Sequence, residues 1–147
     1  MTLKTLLNGL KILSTNVDEN FEVKDIKIHS KSVDDGDLFL CMKGVRDDGN
    51  KHLEEIKKNF VAITEIPPQN TDIKYVQVED VREAYSIVSS NYFAHPLDGM
   101  KFVAVVGTNG KTSTAHYINS ILTNCGFKTG LIGTEGHYIL GEKVAHT

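Results

Sequence analysis

The chain has 147 residues, a net charge of −3, and 40% hydrophobic and 24% charged residues, the balance of a globular protein. No basic excess points to nucleic acid, and no charge block marks a disordered tail. No apolar run approaches the ~20 residues of a membrane span, so neither nucleic acid nor membrane is an expected partner.

In chain order, MTLKTLLNGLKIL is interrupted by Lys4, Asn8, Gly9 and Lys11, unlike the continuous apolar core of a signal peptide. Leu3, Leu6, Leu7 and Leu10 instead predict an amphipathic helix. FEVKDIKIHS (21–30) and DLFLCMK (37–43) are strand candidates on either side of Asp34-Asp35-Gly36-Asp37, whose composition is that of a turn and not of a metal site. Residues 43–52 form a polar loop with two glycines. His52, Leu53 and Ile56 then fall at helical spacing. FVAITE (60–65) is a short buried strand ended by Pro67-Pro68, and YVQV (75–78) is another. Asp80, with Glu83 three residues on, is the start of a helix with a capping box. Val81, Ala84, Tyr85, Val88 and Tyr92 are its apolar stripe.

His95-Pro96-Leu97-Asp98-Gly99 breaks that helix. The expected domain boundary lies here, giving residues 1–98 and 99–147. FVAVV (102–106) reads as a strand buried on both faces of a parallel sheet. A helix is predicted from Lys111 to Cys125, with Ala115, Ile118, Ile121, Leu122 and Cys125 inward and Gly126 ending it. KTGLI (128–132) begins the next strand, which completes a βαβ unit with parallel strands. HYILGEKV (137–144) then reads as a hairpin. The expected fold class is α/β: a small α/β domain, then the first βαβ unit of a Rossmann-like nucleotide-binding domain. A unit of ~45 residues cannot cover both faces of its sheet, so it is expected to be an incomplete part of a larger domain.

Cys41 and Cys125 lie far apart in apolar contexts. They read as unreactive buried thiols in a reducing, cytoplasmic compartment. The six histidines show no ligand spacing, and His116 reads as structural or solvated.

The chemistry concentrates in Gly107-Thr108-Asn109-Gly110-Lys111-Thr112-Ser113. A tight turn between a strand and a helix aims backbone N–H groups into one concavity, and the helix dipole favours an anion there. Gly107 and Gly110 allow the backbone its unusual angles. Lys111 is placed to reach β- and γ-phosphates, Thr112 to bind Mg²⁺ and Ser113 to donate to a phosphate oxygen. The expected cofactors are ATP and Mg²⁺. The general phosphate-loop signature needs a glycine five residues before Gly110, where Val105 stands.

That departure fits a particular family. GTNGKTS (107–113) resembles the G-[TS]-N-G-K-[TS]-[TS] variant of the ATP-dependent Mur ligases. SKSVDDGDLFLCMKGVRDDGNKHL (30–53) resembles a run in their N-terminal domain, and VEDVREAYSIVSSNYFAHP (78–96) the helix that closes it. KTGLIGTEGHYILGEKV (128–144) resembles the branch of UDP-N-acetylmuramyl-tripeptide synthetases. His29-Ser30-Lys31 stands where the family has Asp-Ser-Arg, Asn50 where His is common, and Val106 where Thr is common.

The resemblance implies a ligase that phosphorylates the D-Glu carboxylate of UDP-N-acetylmuramoyl-L-Ala-D-Glu. A diamino acid, meso-diaminopimelate or L-lysine, then attacks the acyl phosphate. Lys111 would be the catalytic cation, offsetting charge on the transferring phosphoryl group. It implies that residues 1–98 grip the uridine diphosphate end through Ile28, Ser30, Val45, Arg46 and Asp47. Thr147 falls where a muramoyl-peptide-contacting motif begins. A monomer is expected. The family's remaining metal ligands, its modified lysine and its amino-acid-selecting domain have no counterpart here, so the chain alone is expected not to turn over. The alternative is a stand-alone module that binds UDP-sugar or nucleotide without catalysis.

Overall fold

The computed structural model describes residues 1–44 and 48–144 and divides into two compact units, Met1–Gly99 and Met100–Thr147. The first holds a five-stranded sheet built from β1 (Ile12–Thr15), β2 (Ile26–Lys27), β3 (Leu38–Leu40), β4 (Val61–Thr64) and β5 (Lys74–Val78). Their spatial order is β1-β5-β4-β3-β2. Strands β2 to β5 run parallel, and β1 closes one edge antiparallel to β5.

Parallel strands need cover on both faces, and the burial shows it. All residues of β3 and β4 are buried. On one face Leu38, Leu40, Val61, Ile63, Val76 and Val78 meet α1 (Leu3–Leu6) and α2 (Val81–Tyr92). On the other, Phe39 and Ala62 meet Val33, Leu53 and Phe60, with Phe39 and Phe60 edge to face at 6.4 Å. Here the cover is two 3₁₀ segments, Ser30–Ser32 and Gly49–Glu55.

Helix α2 begins where Asp80 accepts from the backbone N–H groups of Arg82 (2.7 Å) and Glu83 (3.2 Å). Only the Asp80 half of the capping box forms among the described residues. Its stripe, Val81, Ala84 and Val88, is fully buried. Asn91 is buried too, because its amide nitrogen donates to Leu6 O and Asn8 O, both at 2.8 Å. It satisfies the terminal carbonyls of α1. The Asp34–Asp37 turn forms as expected, with Gly36 at φ 92° and Asp37 Oδ2 accepting from Asp34 N at 2.9 Å.

Three local expectations are corrected. The N-terminal helix is only Leu3–Leu6, because Gly9 turns at φ 83° and Ile12–Thr15 finds β5 as a strand partner. Of residues 21–30 only Ile26–Lys27 is strand, paired with β3. The segment around His52, Leu53 and Ile56 is 3₁₀ over Gly49–Glu55, and Leu53 alone is buried from it.

The second unit contains α3 (Lys111–Asn124) and a three-stranded antiparallel sheet, β6 (Gly130–Gly133), β7 (Gly136–Ile139) and β8 (Glu142–Val144). The β7–β8 hairpin forms as read. Its two turn residues, Leu140 and Gly141, have φ of 53° and 87°, as a type I′ turn requires.

The βαβ unit is not formed. Residues 101–106 carry no strand, and Phe102, Val103 and Val106 are 70%, 60% and 91% exposed. A strand exists only through a neighbour that takes its hydrogen bonds, and none lies beside these residues among those described. Strand β6 pairs antiparallel with β7 instead. Helix α3 buries no residue fully. Ala115, Ile118 and Leu122 are half-buried as a stripe, whereas Ile121 and Cys125 are exposed.

Candidate functional sites

The loop Gly107–Ser113 ends in the first turn of α3. Gly110 is the residue before the helix, at φ 75°, and Gly107 lies at φ 154°. Side chains rarely take such angles, so both glycines are required by conformation. A Cβ on Gly110 would meet nothing within 4 Å, so its glycine answers to the backbone angle and not to crowding. The first regular backbone bond of the helix runs from Thr114 N to Gly110 O at 2.9 Å. The N–H groups of Lys111, Thr112 and Ser113 precede it and have no carbonyl one turn back. They open a helix of fourteen residues, which adds its dipole.

Lys111 folds back over the loop, its Nζ donating to Thr108 O at 3.3 Å. The ammonium is therefore held at the mouth of the turn, and residues 107–111 are all exposed. Thr112 is half-buried and lines a small cavity with Ala115, His116, Leu131 and Glu135. His116 stands edge to face with Tyr138 at 5.3 Å, and its Nε2 is 4.0 Å from Glu135 Oε2. Thr108, Asn109, Gly110, Lys111 and Ser113 thus lie on one open turn that runs into α3. This arrangement can accept a multiply charged anion through backbone donors and one ammonium.

The second candidate lies in the first unit, at the carboxyl end of its parallel strands. Open α/β sheets place ligands at that end. Ile28 is 40% exposed just past β2. Ser30 begins the 3₁₀ turn Ser30–Ser32, which packs on Gly49–Glu55. Ser32, not Ser30, closes this turn, with Oγ donating to His29 O at 2.8 Å. Among the described residues the Ser30 hydroxyl has no hydrogen-bond partner, so it is available to a ligand. Val45, Arg46, Asp47 and Thr147 lie outside the described residues.

What is described is the stem of the 44–47 loop, and here sequence reading missed several residues. Lys43 and Asp48 pair across the loop's base as an isolated antiparallel bridge, and Gly49 N donates to Met42 O at 3.1 Å. Arg82 reaches over from α2 to donate to Lys43 O at 2.8 Å. Asp48 Oδ1 accepts from Asn50 N (3.0 Å) and Asn50 Nδ2 (2.8 Å). Those bonds from Asn50 hold the Asp48 carboxyl below its usual range. Asn50 Oδ1 lies 2.6 Å from the Oγ1 of Thr64, which is wholly buried at the end of β4. Only the Asp48-to-Asn50 spacing, typical of a side chain bonding its own turn, could have signalled part of this network. Arg82 and Thr64 are distant in sequence and carried no signal.

Comparison with known proteins bears on both sites. Residues 105–147 match the Mur ligase middle domain. Over 147 residues the chain is 41% identical to a UDP-N-acetylmuramoyl-L-alanyl-D-glutamate–2,6-diaminopimelate ligase of Clostridium perfringens, covering 98% of this chain and 30% of that protein. A ligase of the same name from Aquifex aeolicus is 39% identical over 83% of this chain and 25% of its own length. Among solved structures, MurF from Acinetobacter baumannii superposes with a TM-score of 0.60 at 26% identity, covering 84% of this chain and 27% of that one. The chain thus spans about a third of the length of the curated relatives it matches.

Proposed function

We propose that this chain, a relative of the Mur ligases along nearly its whole length, supplies the uridine-recognising domain and the phosphate-binding loop of an ATP-dependent ligase acting in peptidoglycan precursor synthesis. The observation that carries the reading is the loop itself: GTNGKTS, with Gly107 and Gly110 at positive φ, ends in the free N–H groups of α3. The substrate is UDP-N-acetylmuramoyl-L-Ala-D-Glu, which ATP activates at the D-Glu carboxylate. The added residue is a diamino acid, with the diaminopimelate-adding branch favoured by the names of the relatives.

The residues present suit that chemistry. Backbone N–H groups of residues 110–113 and the Lys111 ammonium hold phosphate oxygens and offset their charge. The Thr112 hydroxyl would be one ligand of Mg²⁺, the ion that supplies charge neutralisation at the phosphates. Among the described residues no group of three or more His, Cys, Asp or Glu side chains could hold a metal, so these residues would contribute Thr112 alone to the ion. The free Ser30 hydroxyl and the residues flanking 45–47 bind the uridine diphosphate end; Val45, Arg46 and Asp47 as further partners there, and Thr147 as a partner of the muramoyl peptide, rest on the family resemblance alone. No described helix is long and apolar enough to cross a membrane, and we place the reaction in the cytoplasm.

Titration calorimetry tests this. Mg-ATP should bind the chain and lose at least about tenfold in affinity in Lys111→Ala, the scale of one charged hydrogen bond. UDP-N-acetylmuramoyl-L-Ala-D-Glu should bind and weaken in Ser30→Ala, with each variant sparing the other ligand. Binding of Mg-ATP with no affinity for any UDP-sugar would refute the ligase reading and leave a generic nucleotide loop.

A further inference from the structure

Besides its apolar stripe, α3 half-buries three polar residues, Thr112, His116 and Asn119. Thr112 and His116 are four apart, so they are neighbours on one helix face. They line the same small cavity, which Leu131, Gly133 and Glu135 border from the strand side. Leu131 is the one buried side chain of the second unit among the described residues. The end of α3 that carries the 107–113 turn is therefore seated over it.

His116 makes two directed contacts at that seat. Its ring meets Tyr138 of β7 edge to face, with centroids 5.3 Å apart and planes at 78°, and its Nε2 is 4.0 Å from Glu135 Oε2. Tyr138 is backed in turn by Lys143 of β8, whose Nζ lies 5.9 Å from the ring centroid. Lys143 crosses over Gly136, where a Cβ would stand 2.6 Å from its Cε. Contact thus runs from β8 through the Tyr138 ring to His116, one helical turn behind Thr112. At the far end of α3 the hydroxyls of Thr123 and Thr129 meet at 2.9 Å, about three turns from Thr112. Edge-to-face ring pairs have a preferred geometry, whereas the aliphatic contacts of Ala115 and Leu122 are non-directional. His116 therefore fixes how the first turn of the helix is seated.

We propose that His116 is a positioning residue of the nucleotide turn, holding α3 on Tyr138 so that the Thr112 hydroxyl is aimed at the metal of a bound Mg-nucleotide. The inference rests on Thr112 being one ligand of that ion. Titration calorimetry is run with Mg-ATP, and with ATP in excess chelator, on the parent chain and on His116→Ala. Mg-ATP should bind His116→Ala about threefold to tenfold more weakly, the worth of one aromatic pair. Metal-free ATP should lose less, because it does not use Thr112. His116→Phe, which keeps a ring against Tyr138, should restore most of the loss. In a Thr112→Ala background, His116→Ala should cost Mg-ATP less than about twofold, since the two positions act as one. If His116→Ala loses the helix by circular dichroism, Tyr138→Leu removes the same ring pair from the strand side and should show the same metal-dependent loss. Equal losses for both forms of ATP, no rescue by phenylalanine, additive variants, or an unchanged affinity in a parent that binds would overturn the proposal alone. A parent chain with no affinity for Mg-ATP would overturn it together with the nucleotide reading.

Discussion

Thr64→Val is the most informative single change in the network around Asp48 and Asn50. The side chain is wholly buried, and valine keeps its volume while removing the hydroxyl. Its one proton can satisfy either Asn50 Oδ1 at 2.6 Å or Ile66 O at 2.8 Å, and its oxygen accepts from Ile66 N at 3.2 Å. The variant thus loses one donated and one accepted bond. Each is worth about 1 kcal/mol net, and a group left unpaired adds about another. A destabilisation of about 2–3 kcal/mol follows, far from the neutral exchange its shape suggests. Urea denaturation followed by far-UV circular dichroism measures it, alone and in a cycle with Asn50→Ala. About 1 kcal/mol of the loss should be shared between the two positions. On the proposed function, UDP-sugar affinity should also fall in the same variant, because Asn50 and Asp48 flank the proposed substrate residues. A loss under about 0.5 kcal/mol, or strictly additive variants, would refute the network.

Asp48 gives a pH test of the same stem. Its carboxyl is held low by Asn50, so its contribution to stability is full above the ordinary carboxylate value. That contribution is lost as the pH falls through the lower folded value. Carbon-13 titration should find Asp48 below the ordinary range and should find it shifted upward in Asn50→Ala. Gly49→Ala should cost about 1–3 kcal/mol by overpacking, since its Cβ would stand 2.9 Å from Cys41 Cα, backbone that cannot swing aside; equal denaturation midpoints would contradict this. Burial pushes the Cys41 thiol up to about 12, whereas Cys125 is exposed. A disulfide reagent at neutral pH should therefore titrate one thiol in the folded chain and two in denaturant.

The elements legible in the sequence were those whose signal is local. VAIT is buried along its length, Asp80 caps α2, and Leu140-Gly141 turns a hairpin. Each follows from residues within a few positions of one another. The failures share one cause, a partner remote in sequence. Ile12 and Leu13 lie in a stretch patterned as helix, and only β5, some sixty residues on, makes Ile12–Thr15 a strand. Residues 102–106 have the composition of a central strand, yet composition cannot supply the neighbour a strand needs. The turn at 107–113 was readable as a candidate because its residues are seven in a row. The stem that holds Lys43, Asp48, Asn50, Thr64 and Arg82 together was not, because three chain segments meet there.

Helix α3 starts at the 107–113 turn, yet none of its fourteen residues is fully buried. Short helices with little packing are marginal in water, so the loop's donors are in place only for the fraction of time that the helix holds. An anion that needs those donors binds with an apparent constant weakened by that fraction. Any contact that steadies α3 at its far end, around Ile121 or Cys125, tightens the loop's grip without touching it. An anion's hold on the turn would thereby be adjusted from about three to four helical turns away.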